Sequence, residues 1–209
     1  MDFVSARLNM VESQVRTNDV TDFEIQDAMR RVARERFCAP ARAFAAYAEV
    51  PVEICPERWL MGPREVAKLL QAAAPKAGEK ALAIAAPYAG AVLASIGLDV
   101  TAQESDARAV AVLETALGDY GVKLKAGDLA APMGGDYDLI ISEGAVSEAP
   151  AAWIEALKVG GRLAVVERDG PMGRARLYVR TPSAVATREV FDAAPPVLAG
   201  FERRPSFQF

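Results

Sequence analysis

Between residues 81 and 167, short apolar runs alternate with longer stretches in which apolar and polar positions recur at helical spacing. The wholly apolar run 81–85 predicts a strand, and the stretches 99–104, 122–125, 138–142 and 162–167, in which apolar and polar residues are mixed, predict four more. The stretches between them predict helices at residues 90–96, 107–117 and 151–157. Strands that alternate with helices form a mostly parallel sheet, and right-handed crossovers place helices on both of its faces. The pattern therefore predicts an α/β fold with a doubly wound sheet.

The first third of the chain has a different pattern, which predicts helices and loops. Its first 36 residues have helical character, with Asp19 and Thr21 as candidate caps of a helix over residues 22–36. One stripe of this helix is apolar, and the arginines outside the stripe are expected to face solvent. The stripe comprises Phe23, Ala28, Met29 and Val32, and the arginines are Arg30, Arg31, Arg34 and Arg36. We expect residues 37–63 to form a proline-rich loop with a short extended piece at 51–54, and residues 64–74 to form a helix.

The last part of the chain predicts two further strands. One covers residues 176–180, and the tail that begins at Arg188 is expected to end in a strand carrying Phe207 and Phe209. We expect residues 1–63 to be a helical elaboration and residues 64–209 to hold the sheet, within one compact unit.

Composition excludes several classes of function. Histidine is absent from the 209 residues, which removes Ser-His-Asp triads and histidine-ligated metal sites. Cys38 and Cys55 predict reduced thiols rather than a disulfide framework or a metal cluster. The net charge of −4 argues against nucleic-acid binding. The longest apolar stretch, residues 81–94, is too short to span a bilayer, and no targeting segment is visible, so we expect a cytoplasmic protein that binds no membrane.

Two carboxylates lie where a doubly wound sheet binds its ligands, beyond the carboxyl ends of the strands. Glu104 ends the second predicted strand, where a carboxylate can accept hydrogen bonds from both hydroxyls of a ribose. Asp128, after Gly127, follows the third strand and can accept a hydrogen bond from an adenine amino group. The alternatives are an exposed acid in a polar loop for Glu104 and an ordinary Gly-Asp turn for Asp128.

The turn after the first strand lacks the glycines that a nucleotide-binding turn requires. Residues 83–90 read AIAAPYAG, so the single glycine, Gly90, comes late. An alanine forced into the left-handed region costs on the order of 1–2 kcal/mol. Pro87 also removes a backbone N–H that a ligand could use.

Several motifs resemble the protein-L-isoaspartate O-methyltransferase family. The most specific are N-terminal: residues 10–16 (MVESQVR), 20–22 (VTD), 28–32 (AMRRV) and 36–37 (RF). Residues 46–47 (AY), 51–54 (PVEI), 127–128 (GD), 136–141 (DYDLII), 160–163 (GGRL) and 200–203 (GFER), with Phe207, also match. Generic methyltransferases share the sheet but not the N-terminal run. The resemblance implies that residues 64–209 form a Rossmann-like methyltransferase domain.

The resemblance also implies a cofactor, a substrate and two site residues. The family transfers a methyl group from S-adenosylmethionine to the carboxylate of isoaspartyl residues in damaged proteins, which is protein repair. Glu104 matches the family's ribose-binding acid, and Asp128 matches the acid near the adenine. An ionised carboxylate can attack the sulfonium methyl group directly, so we name no catalytic side chain and no metal ligand.

Two loops depart from the family pattern. Ala83 stands in place of the acid that precedes the Gly-x-Gly-x-Gly turn, and the glycines of that turn are missing. Residues 58–63 read RWLMGP, so Met61 occupies the place of a hydroxyl residue in the active-site loop. A thioether is only a weak hydrogen-bond acceptor and no donor.

These departures leave three hypotheses open. The first is an isoaspartyl methyltransferase, and the second is a non-catalytic pseudoenzyme that keeps the fold for binding or assembly. The third is a protein that binds another small ligand in a remodelled pocket. The sequence does not determine whether Trp59, Met61 and Tyr88 fill or line that pocket, nor the oligomeric state.

Overall fold

The computed structural model describes residues 1–203, and its centre is a seven-stranded sheet. A separate antiparallel hairpin consists of β1 (Val52–Cys55) and β2 (Arg58–Leu60). The sheet consists of β3 (Lys80–Ile84), β4 (Asp99–Glu104), β5 (Lys123–Ala126), β6 (Tyr137–Val146), β7 (Leu157–Arg168), β8 (Gly173–Arg180) and β9 (Val185–Ala193). Its order is β5-β4-β3-β6-β7-β8-β9. The first five strands in this order are parallel to one another, and β8 pairs antiparallel with both β7 and β9.

Six α-helices accompany the strands in the part of the chain that the structure describes. They are α1 (Phe3–Met10), α2 (Phe23–Arg31), α3 (Pro63–Ala73), α4 (Pro87–Ile96), α5 (Ala107–Gly118) and α6 (Ala151–Glu155). Shorter π and 3-10 turns extend the N-terminal third at Val11–Val15, Arg16–Asn18, Arg34–Phe37 and Pro40–Ala45. Among residues 1–203, no helix has the length and apolar character needed to cross a membrane.

Alternation along β3 shows how the sheet buries both of its faces. Ala81 and Ala83 pack into one core cluster with α3 and α4, whereas Leu82 and Ile84 pack into a second cluster around Trp153. Period-two alternation sends successive side chains to opposite faces. The prediction of a doubly wound, mostly parallel α/β sheet is therefore confirmed.

The N-terminal third differs from its prediction in detail. Helix α2 ends at Arg31 rather than residue 36, because Val32 adopts an extended conformation (φ −78°, ψ 119°). Its cap is neither Asp19 nor Thr21 but Asp22, whose carboxylate accepts hydrogen bonds from two N–H groups of the first turn. Phe23 is not part of the buried stripe, since it is 74% exposed.

Two further predictions concern the loop and the tail. Residues 37–63 contain a complete hairpin where only the extended piece at 51–54 was predicted, because β2 is only three residues long. The last described strand is Val185–Ala193, and Phe207 and Phe209 lie outside the described residues. The division of the chain at residue 63 stays a prediction.

The turn from β3 into α4 keeps a left-handed conformation without glycine. Ala85 has a φ of 50°, and its N–H donates to the carbonyl oxygen of Gln103 at 2.9 Å. Ala86 follows with a negative φ of −125°, and Pro87 opens the helix. Gly90 lies where an added Cβ would be 3.1 Å from Cβ of Ala83, so its role is close packing of α4 on β3.

Arg162 on β7 joins the end of α3 to the sheet. Its guanidinium donates to the carbonyl oxygens of Ala73, Ala74 and Asp138 and to both carboxylate oxygens of Glu79. Partial burial would raise the pKa of Glu79, but hydrogen bonds and the charge of Arg162 outweigh it and hold this pKa below 4.5. One side chain thus holds together four segments of the chain.

We predict that Arg162→Met lowers the free energy of unfolding by about 2–4 kcal/mol at pH 7, because it leaves partly buried acceptors unpaired. Because the pKa of Glu79 is lower in the folded state, its charged carboxylate stabilises the fold at pH values above 4.5, its value in the unfolded chain. This stabilisation is lost as the pH falls through the folded pKa. The deficit of the variant should therefore shrink below pH 4.5 in urea titrations. Arg188→Met, which removes an exposed arginine near the same helix end, is the control. A deficit that does not change with pH would contradict the role of the Glu79 charge.

The β3–α4 turn gives a second prediction. Ala85→Gly relieves about 1–2 kcal/mol of left-handed strain. It also removes a buried methyl group and raises the entropy of the unfolded chain, and both effects destabilise the fold. The free energy of unfolding should therefore change by less than about 0.5 kcal/mol. Ala86→Gly has the same losses with no strain to relieve, and it should cost about 1.5 kcal/mol. Chemical denaturation of both variants tests the difference, and equal losses would show that Ala85 is not strained.

Candidate functional site

Glu104 lies at the carboxyl end of β4, next to β3, where the strand order reverses between β3 and β6. This is the position that a doubly wound sheet uses for ligands. The side chain is nevertheless buried, with 1% of the residue exposed. Its Oε1 accepts hydrogen bonds from the N–H groups of Ser105 at 2.7 Å and Asp106 at 3.0 Å. The local backbone therefore fixes the direction of the carboxylate.

Arg58, the first residue of β2, forms a two-point ion pair with this carboxylate. Its Nε donates to Oε1 of Glu104 at 3.2 Å, and its terminal nitrogen donates to Oε2 at 2.5 Å. Arg58 is itself only 4% exposed. The pair satisfies the requirement that a buried charge be matched by another charge and by hydrogen bonds. Sequence analysis did not identify Arg58 as a site residue, because nothing local distinguishes it from a solvated arginine of a loop.

Asp128 lies in the loop after β5, and its carboxylate is exposed. Oδ1 accepts a hydrogen bond from the N–H of Ala130 at 2.9 Å, which is the local turn expected of an Asp in this position. Gln103 fastens the loop, because its side chain donates to the carbonyl oxygens of Asp128 and Ala131 and accepts from the N–H of Met133. Since Glu104 pairs in register with Ala126, both predicted site residues lie at the same edge of the sheet.

A second buried carboxylate, Glu143, lies on the other side of β3. It belongs to β6 and is 1% exposed. Its Oε1 accepts a hydrogen bond from the N–H of Ala89 at 2.6 Å, and the backbone N–H groups of Met61 and Tyr88 also favour the charged carboxylate. Burial raises the pKa of Glu143, and the charge of Arg34 and these N–H groups counteract part of that shift. Sequence analysis did not name Glu143, although a charged residue so soon after the apolar run 139–141 is a signal that could have identified it.

Arg34 corrects a prediction, since it does not face solvent. It is fully buried, donates from Nε to the carbonyl oxygen of Ala46 at 2.7 Å, and forms a further hydrogen bond with the carbonyl oxygen of Met61. Its guanidinium lies 4.7 Å from the centre of the Tyr88 ring. The chain turns away from helical geometry after α2, and this turn directs Arg34 inward. Arg34 therefore links the first helices to the loop before α3.

The sequence left open whether Trp59, Met61 and Tyr88 fill or line a pocket, and the structure separates them into two groups. Met61 and Tyr88 are buried and belong to the core, whereas Trp59 is 38% exposed. The Tyr88 hydroxyl has no hydrogen-bond partner within residues 1–203, and neither does Oε2 of Glu143. Burial raises the pKa of Tyr88. The segment between the hairpin and α4 is thus packed with the protein's own side chains.

Glu104 lies at a position where a carboxylate can bind a ribose, but its oxygens already accept hydrogen bonds from the protein. Two vicinal hydroxyls need free carboxylate lone pairs, and Arg58 with two N–H groups occupies both oxygens of Glu104. Asp128 retains an exposed carboxylate that an amino group can reach. The carboxylate of Glu104 is therefore already engaged within the protein, whereas that of Asp128 is open to solvent.

The sequence matches known proteins over most of its length. The model of the family Protein-L-isoaspartate(D-aspartate) O-methyltransferase (PCMT) matches residues 6–180. A protein-L-isoaspartate O-methyltransferase of Methylorubrum populi is 34% identical over 192 residues, which cover 88% of this chain and 91% of that protein. The Methylorubrum extorquens protein of the same name is 35% identical over 209 residues, which cover 95% of this chain and 91% of that protein.

Solved structures agree on the fold. A Plasmodium falciparum structure assigned to the same enzyme, in complex with S-adenosyl-L-homocysteine, has a TM-score of 0.79 at 16% identity, covering 92% of this chain and 97% of its own. Another protein-L-isoaspartate O-methyltransferase structure has a TM-score of 0.78 at 19% identity, covering 94% of this chain and 67% of its own. The match of the family model, together with these relatives, shows that the chain belongs to the protein-L-isoaspartate O-methyltransferase family.

Proposed function

We propose that this protein transfers a methyl group from S-adenosylmethionine to the carboxylate of isoaspartyl residues in damaged proteins. The observation that carries the proposal is the family match over residues 6–180, which includes both the N-terminal third and the carboxyl edge of the sheet. The relatives reported above carry the name of the enzyme. They give no support to the alternative of a non-catalytic binding protein.

We assign the two predicted carboxylates to the adenosine part of the cofactor. Glu104 would accept the ribose hydroxyls once Arg58 has left, while the N–H groups of Ser105 and Asp106 keep the carboxylate in place. Asp128 would accept a hydrogen bond from the adenine amino group, which its exposure permits. The support for both roles is their position at the carboxyl ends of β4 and β5.

The reaction requires little chemistry from side chains. S-adenosylmethionine supplies a methyl group on a positively charged sulfur. A carboxylate oxygen of the substrate forms the new carbon–oxygen bond while the carbon–sulfur bond breaks, so the products are a methyl ester and S-adenosylhomocysteine. No proton moves, and a chain without histidine can accelerate the step by positioning and by excluding water. Buried walls around Met61 and Tyr88 would serve that exclusion.

We predict base-labile methyl ester formation on an isoaspartyl peptide when the purified protein is supplied with methyl-labelled S-adenosylmethionine. The same peptide with a normal aspartyl residue is the control and should stay unlabelled, because its side-chain carboxylate lies one methylene further from the backbone. Volatile methanol released by base measures the ester. Equal background from both peptides and from the sample without enzyme would contradict the proposed function.

The adenine contact gives a second prediction, which uses an isosteric variant. Asp128→Asn should weaken S-adenosylhomocysteine binding by about tenfold, because the site loses a charged acceptor for the amino group. The same variant should improve binding of S-inosylhomocysteine, since an amide can donate to the oxygen that replaces that amino group. Calorimetric titration measures both ligands. Glu114→Asn, an exposed carboxylate on α5, is the control. An unchanged preference would show that Asp128 does not contact the base.

A further inference from the structure

Arg58 is held at the carboxyl edge of the sheet by its two-point ion pair with Glu104. Both of its interactions with Glu104 use carboxylate oxygens that no water reaches freely, since the side chains of Arg58 and Glu104 are 5% and 2% exposed. The fork of a guanidinium presents two N–H groups side by side, which matches a carboxylate as two vicinal hydroxyls would. The guanidinium therefore occupies the carboxylate to which we assign the ribose hydroxyls.

The element that carries Arg58 is not a strand of the main sheet. The β1–β2 hairpin forms its own two-stranded sheet, and its turn residues Pro56 and Glu57 are exposed. Leu60, in contrast, is fully buried and anchors the end of β2. The hairpin can thus stay anchored while the long side chain of Arg58, at the start of β2, changes its rotamer. Displacement of Arg58 needs no rearrangement of the seven-stranded sheet.

We infer that Arg58 is an internal competitor of the cofactor, which sets cofactor affinity by occupying the ribose-binding carboxylate Glu104. The inference rests on the proposed function. A ligand that binds only the open arrangement has its apparent dissociation constant raised by the inverse of the open fraction. Loss of the guanidinium makes the open arrangement the ground state. Arg58 is accordingly a residue that determines affinity and does not take part in methyl transfer.

The experiment is calorimetric titration of the full-length protein with S-adenosylhomocysteine. Arg58→Ala should bind at least about tenfold more tightly than the wild type. Arg58→Lys, which keeps the charge but replaces the fork with one ammonium, should show a smaller gain and serves as a second variant if the alanine protein does not fold. Arg108→Ala is the matched control, because Arg108 also contacts the hairpin at Pro56 but pairs with Asp106 instead of Glu104. Thermal unfolding verifies that each variant is folded.

A double variant separates competition from a general loosening of the site. In Arg58→Ala/Glu104→Ala the gain in affinity should be lost, since the ribose anchor has gone together with its competitor. Retention of the gain in the double variant would overturn the inference. Wild-type affinity in the folded Arg58 variants would also overturn it and leave the proposed function in place. No binding by wild type and folded variants at millimolar ligand would overturn both.

Discussion

The buried pair of Arg58 and Glu104 is the interaction on which the site of this protein depends. A carboxylate at the carboxyl end of a parallel strand is ordinary in nucleotide-binding folds, because solvent or a ligand satisfies it there. Here the carboxylate is withdrawn from solvent, and such a charge is tolerated only with a close counter-charge and further hydrogen bonds. Arg58 and two backbone N–H groups supply them. These are the contacts that, in our proposal, compete with the ligand.

The second buried carboxylate repeats this arrangement on the other side of β3. Glu104 ends β4 and Glu143 belongs to β6, and these two strands are the neighbours of β3. The cations that accompany them, Arg58 and Arg34, both come from the first 63 residues. The N-terminal third thus supplies charge to the edge of the sheet where the ligand is expected.

Much of the fold was predictable from residue patterns. The bounds of β3, which has an apolar run, and of β4, which mixes polar and apolar residues, differ from the prediction by no more than one residue. The short strand β2 was missed because three residues carry no periodicity. The end of α2 was missed because the residues after Arg31 have the composition of a helix, and tertiary contacts of Arg34 decide their conformation.

The sequence predicted where the candidate site lies in the sheet, but not which side chains its carboxylates contact. Glu104 and Asp128 follow from the order of strands, since the carboxyl ends of β4 and β5 meet at one edge. Arg58 lies 46 residues before Glu104, and no local pattern reveals such a pair. The buried environment of Glu143 likewise depends on Met61 and Ala89, which come from distant segments. Side-chain pairing across the fold is what the sequence pattern does not encode.

A crystal structure of the protein with S-adenosylhomocysteine tests the central claim most directly. The account predicts that the guanidinium of Arg58 lies beyond hydrogen-bond distance, more than about 4 Å, from the Glu104 carboxylate, and that both ribose hydroxyls lie within about 3 Å of it. A bound ligand whose ribose lies elsewhere, with the Arg58–Glu104 pair intact, would contradict the account.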